Sequence, residues 1–204
     1  MFVTAGTAFV QICLRPGKAV SSARVASSMP AHWKMSGSEG FLGKNAVFAQ
    51  TMLRVKDPAQ SRRFYEALGL RFLTRFDFPE LSFSLYFFAL EDDLTVPDES
   101  APQPERAKWL FSRPYPTLEL THNWGSEKDP NFKYANGNAE PGKGYGHIGF
   151  LVDDLHASCA KVEKAGYTVS RKPGPFQNVG EIAFIRDPDD YWIELIQKSK
   201  PSAP

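Results

Sequence analysis

The sequence repeats itself at a constant spacing, and this duplication constrains the fold more than any other feature. Gln50 and His147 each begin a strand-like apolar segment, and 147 − 50 gives a spacing of 97 residues. Further matches at the same spacing are Val55 with Val152, Asp57 with Asp154, Gly69 with Gly166 and Phe72 with Val169. Because strand, helix start, helix end and next strand all repeat in register, the chain is predicted to contain two copies of one small unit.

Each copy is predicted to contain a strand, a helix and three further strands. In the first copy Asp57 can cap the helix, Pro58 suits its first position, and Gly69 can end it in a left-handed conformation. Strands are predicted at 50–56, 70–76, 82–90 and 117–121 in the first copy, and at 145–152, 167–171, 181–186 and 191–197 in the second. The second helix is predicted to run from 153 or 154 to 165, and residues 187–190 are a predicted turn. The predicted fold class is α+β, with tandem βαβββ modules at about 45–124 and 143–198.

Two segments are too long for ordinary loops of a compact domain. Residues 91–116 form an insertion in the first module with five prolines among charged residues, and residues 125–144 form a polar connector between the modules. Segments of this length are commonly functional. A lid or a partner contact is expected.

The distribution of charge separates an N-terminal segment from the rest of the chain. The first acid is Glu39, and four of the 24 basic residues precede it, which leaves 20 basic and 23 acidic residues for the remainder. Residues 1–40 are rich in Ser, Ala and Arg, as in an organelle transit peptide, and a disordered tail is the alternative. Residues 41–204 are predicted to be the folded domain. A transit peptide implies a mitochondrial or plastid location, and otherwise the protein is expected in the cytoplasm.

The same composition excludes several classes of partner. The mildly acidic domain is not expected to bind nucleic acid. No apolar run approaches the roughly 20 residues that span a bilayer, so no membrane association is expected. Cys13 and Cys159 lie on opposite sides of the predicted domain boundary, which argues against a structural disulfide and against thiolate chemistry.

Four polar residues at equivalent places in the two modules predict a divalent metal site. Glu119 and Glu194 each lie between apolar neighbours, so strand alternation places the carboxylate on the opposite face. For either Glu alone, a solvent-facing residue of an ordinary strand is the default interpretation. The recurrence of both, together with Gln50 and His147 at equivalent strand starts, favours a metal. One amide oxygen, one imidazole and two carboxylates suit a six-coordinate ion with two positions left for water or substrate.

The chain resembles glyoxalase I, a family of the vicinal oxygen chelate superfamily, over about residues 45–198. The segments that carry this resemblance are 50–58, 77–79 with 83–87, 117–125, 144–149 and 183–194. The resemblance implies mixed, curled sheets with the helices outside. The 91–116 insertion resembles the longer, eukaryote-like form of the family, which is usually zinc-dependent, and Ni²⁺ or Co²⁺ are the alternatives.

The resemblance also implies an activity, that of lactoylglutathione lyase. The substrate would be the hemithioacetal of methylglyoxal and glutathione, and the product S-D-lactoylglutathione. Gln50, Glu119, His147 and Glu194 would bind the metal, which stabilises the enediolate formed by proton transfer. Glu194 would take the proton from C1, and Glu119 would face the other side of the substrate.

Further positions match the family's substrate contacts. Arg54, Asn123, Lys143 and Arg171 would bind glutathione, and Phe78, Leu85 and Phe87 would line a hydrophobic pocket, although core packing is at least equally expected of these three. The chain departs from the family at two positions. Lys143 stands where Arg is usual, so a bidentate contact becomes a point charge and glutathione binding is expected to weaken. Asp190 stands where Gly is common, and Asp tolerates left-handed geometry.

The resemblance implies a homodimer with two shared sites, each formed by Gln50 and Glu119 of one chain and His147 and Glu194 of the other. Three alternatives share this fold. An extradiol dioxygenase would need a second His where Gln50 stands. A metal-dependent epimerase fits the ligands but is not favoured by the expected glutathione contacts. A metal-free binding module has no use for two facing carboxylates.

Overall fold

The computed structural model describes residues 42, 46–91, 95–140 and 142–199, and the fold lies in the unit Val47–Pro204. The predicted transit peptide or tail, residues 1–40, lies outside the described residues, as does Cys13. The elements of the first module are β1 (Gln50–Arg54), α1 (Pro58–Ala67), β2 (Arg71–Phe78), β3 (Phe83–Ala89), α2 (Gln103–Leu110) and β4 (Thr117–Asn123). Those of the second are β5 (His147–Val152), α3 (Leu155–Lys164), β6 (Val169–Phe176), β7 (Gly180–Arg186) and β8 (Trp192–Gln197).

The two modules have the same sheet topology. The first sheet has the order β1-β4-β3-β2 and the second the order β5-β8-β7-β6. In each, the first strand runs parallel to the last, and the remaining pairs are antiparallel. Both are open, mixed sheets. The prediction of an α+β fold built from two βαβββ modules is confirmed.

The duplicated helices begin and end where the sequence predicted. Asp57 accepts hydrogen bonds from the backbone N–H groups of Ala59 and Gln60 at 2.9 and 3.2 Å. Asp154 accepts one from Ala157 at 2.8 Å. Gly69 and Gly166 follow the two helices with φ angles of 98° and 85°, a conformation that glycine adopts without a Cβ clash.

The insertion contains a helix, α2, that the sequence analysis did not predict. It has only eight residues and is preceded by Pro102, which offers no side-chain cap. Tertiary contacts hold it in place: Leu110 packs in a cluster with Phe76 and Phe87, and Arg106 donates from Nη1 to Thr74 Oγ1 at 2.6 Å. A helix this short depends on such packing more than on local propensity, which is why its sequence gave no clear signal.

One hydrophobic core serves both modules. Buried side chains of the two sheets and of helices α1 and α3 form a single cluster, which includes Phe64, Leu120, Leu155 and Ile193. Strand alternation turns the opposite faces of both sheets away from this core. None of the helices in the described ranges is long and apolar enough to cross a membrane.

A buried carboxylate joins the modules. Tyr65 on α1 donates its hydroxyl proton to Asp187 Oδ2 at 2.8 Å, and the backbone N–H groups of Asp189 and Tyr191 donate to Asp187 Oδ1 at 2.9 Å. Burial raises the pKa of Asp187 to about 7, although the hydrogen bonds oppose this shift. Asp187 begins the predicted turn, in which Asp190 adopts the left-handed conformation with a φ of 64°.

Replacing Asp187 by Asn is expected to make the protein more stable relative to wild type as the pH rises. The pKa of Asp187 is higher in the folded protein than in the unfolded chain. The stability that protonated Asp187 contributes is therefore fully present below about pH 4 and is lost as the pH rises through about 7. Asn can accept the same backbone hydrogen bonds but cannot ionise. In urea unfolding, the free energy of unfolding of the variant minus that of wild type should increase by roughly 2 to 3 kcal/mol between pH 5 and pH 8.

Asp57→Asn is the matched control for this measurement. Its hydrogen bonds to Gln60 and Ala59 hold the pKa of Asp57 below its usual value against the opposing effect of burial, so its contribution is lost only as the pH falls below about 4. The stability difference between this variant and wild type should therefore stay constant from pH 5 to pH 8. A constant difference for Asp187→Asn as well would contradict a raised pKa.

Candidate metal centre

The first pair of predicted ligands lies on the open face of the first sheet. Strands β1 and β4 are parallel neighbours in which Gln50 pairs with Thr117, two residues before Glu119 on the same face of β4. Gln50 Nε2 donates a hydrogen bond to Glu119 Oε2. The amide Oε1 of Gln50 takes no part in that bond, and this oxygen is the atom with which an amide can bind a cation. Glu119 is only 7% exposed.

A threonine hydroxyl fixes the second oxygen of Glu119. Thr121 Oγ1 donates to Glu119 Oε1 at 3.0 Å, and both residues are buried. A ligand carboxylate oriented by a neighbouring hydroxyl is a common feature of metal sites. Thr121 was not among the predicted site residues. Its signal was a polar residue two positions along the strand from Glu119, on the same face.

The second pair lies at the equivalent place on the second sheet. Strands β5 and β8 are parallel neighbours, and His147 Nε2 is 3.1 Å from Glu194 Oε2. The ring of Phe184 on β7 packs edge-on against the His147 ring at 5.4 Å. The side chains of His147 and Glu194 are 42% and 17% exposed, so this pair is more open to solvent than Gln50 and Glu119.

The two pairs do not meet within one chain. Among the described residues, no three or more His, Cys, Asp or Glu side chains form a group that could hold a metal ion. Glu119, His147 and Glu194 would form such a group if they converged. The chain therefore carries two candidate half-sites, each with one carboxylate and one further side chain of a type suited to a divalent cation.

Two of the predicted glutathione contacts lie near the first half-site. Arg54, at the end of β1, is exposed and lines a surface depression of about 370 Å³ that also contains Tyr134. Asn123, at the end of β4, donates from Nδ2 to the hydroxyl of Tyr134 at 2.9 Å. Arg54 pairs with Thr121 across the parallel strands, so Arg54, Thr121 and Asn123 share the face of Glu119.

The other two predicted contacts differ from each other. Lys143 lies in the connector, where its side chain is 68% exposed and 3.5 Å from Glu140. Arg171 on β6 donates to the backbone oxygens of Ile182 and Pro175 at 2.5 and 3.0 Å. The bond to Ile182 links β6 to β7 and the bond to Pro175 stays within β6, so part of the Arg171 guanidinium already has a structural role.

The predicted apolar pocket lies beside Glu119. Phe87 is directly opposite Glu119 in the pairing of β3 with β4, and it is buried. Phe78 and Leu85 are partly buried and pack against the same cluster, in which Leu110 of α2 also lies. These residues thus pack in the core and also lie where a pocket beside Glu119 would be. The insertion, through Leu110, would form one wall of that pocket.

Comparison with known proteins identifies the family. The family model described as the Glyoxalase/Bleomycin resistance protein/Dioxygenase superfamily matches residues 47–195, most of the chain. The chain belongs to this superfamily. The resemblance found in the sequence is thereby confirmed, and the two open sheets are those expected of the glyoxalase fold.

Several similar proteins carry related names. A lactoylglutathione lyase of Pseudomonas aeruginosa is 47% identical over 154 residues, which are 75% of this chain and 83% of that protein. A glyoxalase I of Saccharomyces cerevisiae is 44% identical over 151 residues, 74% of this chain and 44% of that protein. Among solved structures, glyoxalase I from Zea mays is 26% identical with a TM-score of 0.55, covering 76% of this chain and 45% of that one. The chain thus spans about half the length of the yeast and maize proteins.

Thr121→Val is expected to weaken metal binding about 10-fold, because loss of the hydroxyl frees one oxygen of Glu119 to rotate away. Competition with a fluorescent chelator, with the metal added back to stripped protein, measures this directly. Thr121→Ser keeps the hydroxyl and should bind as wild type does. Equal affinity of the Val variant and wild type would show that the contact has no part in binding.

Proposed function

We propose that this protein is a lactoylglutathione lyase that isomerises the hemithioacetal of methylglyoxal and glutathione to S-D-lactoylglutathione. The observation that carries the proposal is the pair of half-sites, Gln50 with Glu119 and His147 with Glu194, at equivalent places on the two sheets. The names of the Pseudomonas and yeast relatives agree with it. Detoxification of methylglyoxal is the resulting role.

The four side chains would together hold a divalent metal, which is Zn²⁺ or, as alternatives, Ni²⁺ or Co²⁺. The donor set fits such an ion because it offers an amide oxygen, an imidazole and two carboxylates. When bound, the metal would stabilise negative charge on the two vicinal oxygens of the enediolate. The orientation of Glu119 by Thr121 supports a role in which that carboxylate is held still.

The side chains of the protein carry the proton. Glu194 is the base that removes the proton from C1 of the hemithioacetal, and a proton returns at C2. Glu194 suits this part because it is partly exposed on the open face, whereas Glu119 is buried and held by two hydrogen bonds. Glu119 faces the other side of the substrate. The oxidation state of the substrate as a whole is unchanged, so no redox-active metal is needed.

Glutathione is held by cations and amides around this centre. Arg54, Asn123, Lys143 and Arg171 supply donors for the carboxylates of the tripeptide. The apolar cluster of Phe78, Leu85 and Phe87 receives the methyl group of methylglyoxal. Lys143, which stands where the family usually has Arg, keeps the positive charge but binds glutathione more weakly than Arg would.

A homodimer completes each centre. Because the half-sites do not meet among the described residues of one chain, Gln50 and Glu119 of one protomer would join His147 and Glu194 of its partner. Two equivalent centres then follow from the two-fold symmetry of a dimer. In the dimer, the sheet face that carries each half-site would be covered by a sheet face of the partner protomer.

Mixing two inactive variants tests the shared centre. Glu119→Gln and Glu194→Gln chains should each be inactive, and a heterodimer of the two has one centre with both changes and one with neither. In an equimolar, randomised mixture half of the dimers are heterodimers, so activity should return to about a quarter of wild type. Two different affinity tags confirm that heterodimers form. Heterodimers without activity would contradict shared centres.

Removal of the metal tests the assignment itself. Protein stripped with a chelator should lose turnover of methylglyoxal with glutathione, and Zn²⁺, Ni²⁺ or Co²⁺ should restore it. Metal content after dialysis should approach one ion per chain, which separates an enzyme from a metal-free binding module. If no metal restores turnover, the proposed activity is wrong.

A further inference from the structure

The connector, residues 125–144, is hydrogen-bonded to segments next to β1 and β5, the first strands of the two sheets. Ser126 Oγ donates to the backbone oxygen of Lys56 at 2.8 Å, and Lys56 Nζ donates to the backbone oxygen of Pro130 at 3.3 Å. At its other end Asn138 Nδ2 donates to the Gly146 oxygen at 2.5 Å. A Cβ at Gly137, whose φ is 87°, would lie 2.0 Å from the Tyr145 oxygen. One end is therefore fixed to Lys56, two residues after β1, and the other to Gly146, the residue before β5.

Between these anchors the connector places Tyr134 beside the predicted glutathione contacts. Its ring packs edge-on against Phe132 with the centroids 4.8 Å apart. Its hydroxyl accepts a hydrogen bond from Asn123 Nδ2 at 2.9 Å. It shares the 370 Å³ depression with Arg54. Tyr134 thus contacts Asn123 and shares a depression with Arg54, so three polar side chains lie close together.

The hydrogen-bonding capacity of a phenol decides what this group can do. A tyrosine hydroxyl has one proton to donate and lone pairs to accept with. The bond from Asn123 uses a lone pair of Tyr134 and not the proton. The proton, the second N–H of Asn123 and the guanidinium of Arg54 are all donors, and a cluster of donors with a positive charge suits a carboxylate.

We propose that Tyr134 binds substrate directly, donating its hydroxyl proton to a carboxylate of the peptide thiol that Arg54 and Asn123 also contact. The inference rests on the proposed function and deepens it by adding the connector to the substrate site. The polar connector then acts as the wall that recognises the peptide part of the substrate. It makes the enzyme selective for thiols that carry a carboxylate.

Tyr134→Phe removes only the hydroxyl, and its expected effect is on substrate binding. KM for the glutathione hemithioacetal should rise about 10-fold, the loss of one hydrogen bond to a charged group, while kcat stays within about twofold. Tyr86→Phe is the matched control, because Tyr86 lies on β3 of the same sheet and packs against the core on the other face. Its KM should equal that of wild type. An unchanged KM in Tyr134→Phe overturns the proposal.

A second arm identifies the group that Tyr134 contacts. With glutathione whose two carboxylates are converted to methyl esters, wild type and Tyr134→Phe should have the same KM, because the esterified substrate offers no anion for the hydroxyl. If the KM of Tyr134→Phe rises relative to wild type as much with the diester as with glutathione, the hydroxyl does not bind a carboxylate and the proposal fails.

A third arm separates direct contact from support of Asn123. Adding Tyr134→Phe to Asn123→Ala should raise KM again, because the hydroxyl acts on the substrate itself. No further rise would show that Tyr134 only positions Asn123, and would overturn the proposal. The Kd of S-methylglutathione, measured by calorimetry, should change in the same way without turnover. The four proteins are wild type, Tyr134→Phe, Asn123→Ala and the double variant. This measurement still tests Tyr134 if the wild-type protein binds the ligand but proves inactive.

Discussion

Each strand of this protein has one face in a common hydrophobic core and one face away from it, and this division decides where the functional side chains lie. Leu120 and Ile193 lie in the core, while Glu119 and Glu194, each one residue away, lie on the opposite faces. Charging a carboxylate in an apolar core would be costly. Both carboxylates therefore lie on the faces turned away from the core, where a cation could reach them.

The shared core also fixes how the duplicated modules relate to each other. The contact of Tyr65 with Asp187 and the bond from the Lys56 backbone N–H to Asp189 join α1 and the segment after β1 to the turn before β8. Glu194 lies on β8, and Gln50 lies on β1. Within a chain, these buried contacts set the position of one half-site relative to the other.

The half-sites differ in how firmly they are held. Both oxygens of Glu119 accept hydrogen bonds, and the residue is buried, whereas Glu194 is partly exposed and meets only the His147 ring among the described polar contacts. A chemical site that needs one rigid ligand and one mobile base would use such an asymmetry. The same face extends through Asn123 to the connector, so the recognition of a peptide thiol and the chemistry would occupy one continuous surface.

The sequence by itself determined the duplication, the element order, the helix caps and the face on which each polar ligand lies, because strand and helix periodicities and capping are local properties. Helix α2, the Thr121 contact and the place of Tyr134 were decided only by the tertiary structure. Eight residues do not stabilise a helix alone, and a hydroxyl or phenol gives no signal of its partner until packing brings the two together. The separation of the four predicted ligands into two pairs was implied by the resemblance, and the packing of the modules within a chain agrees with it.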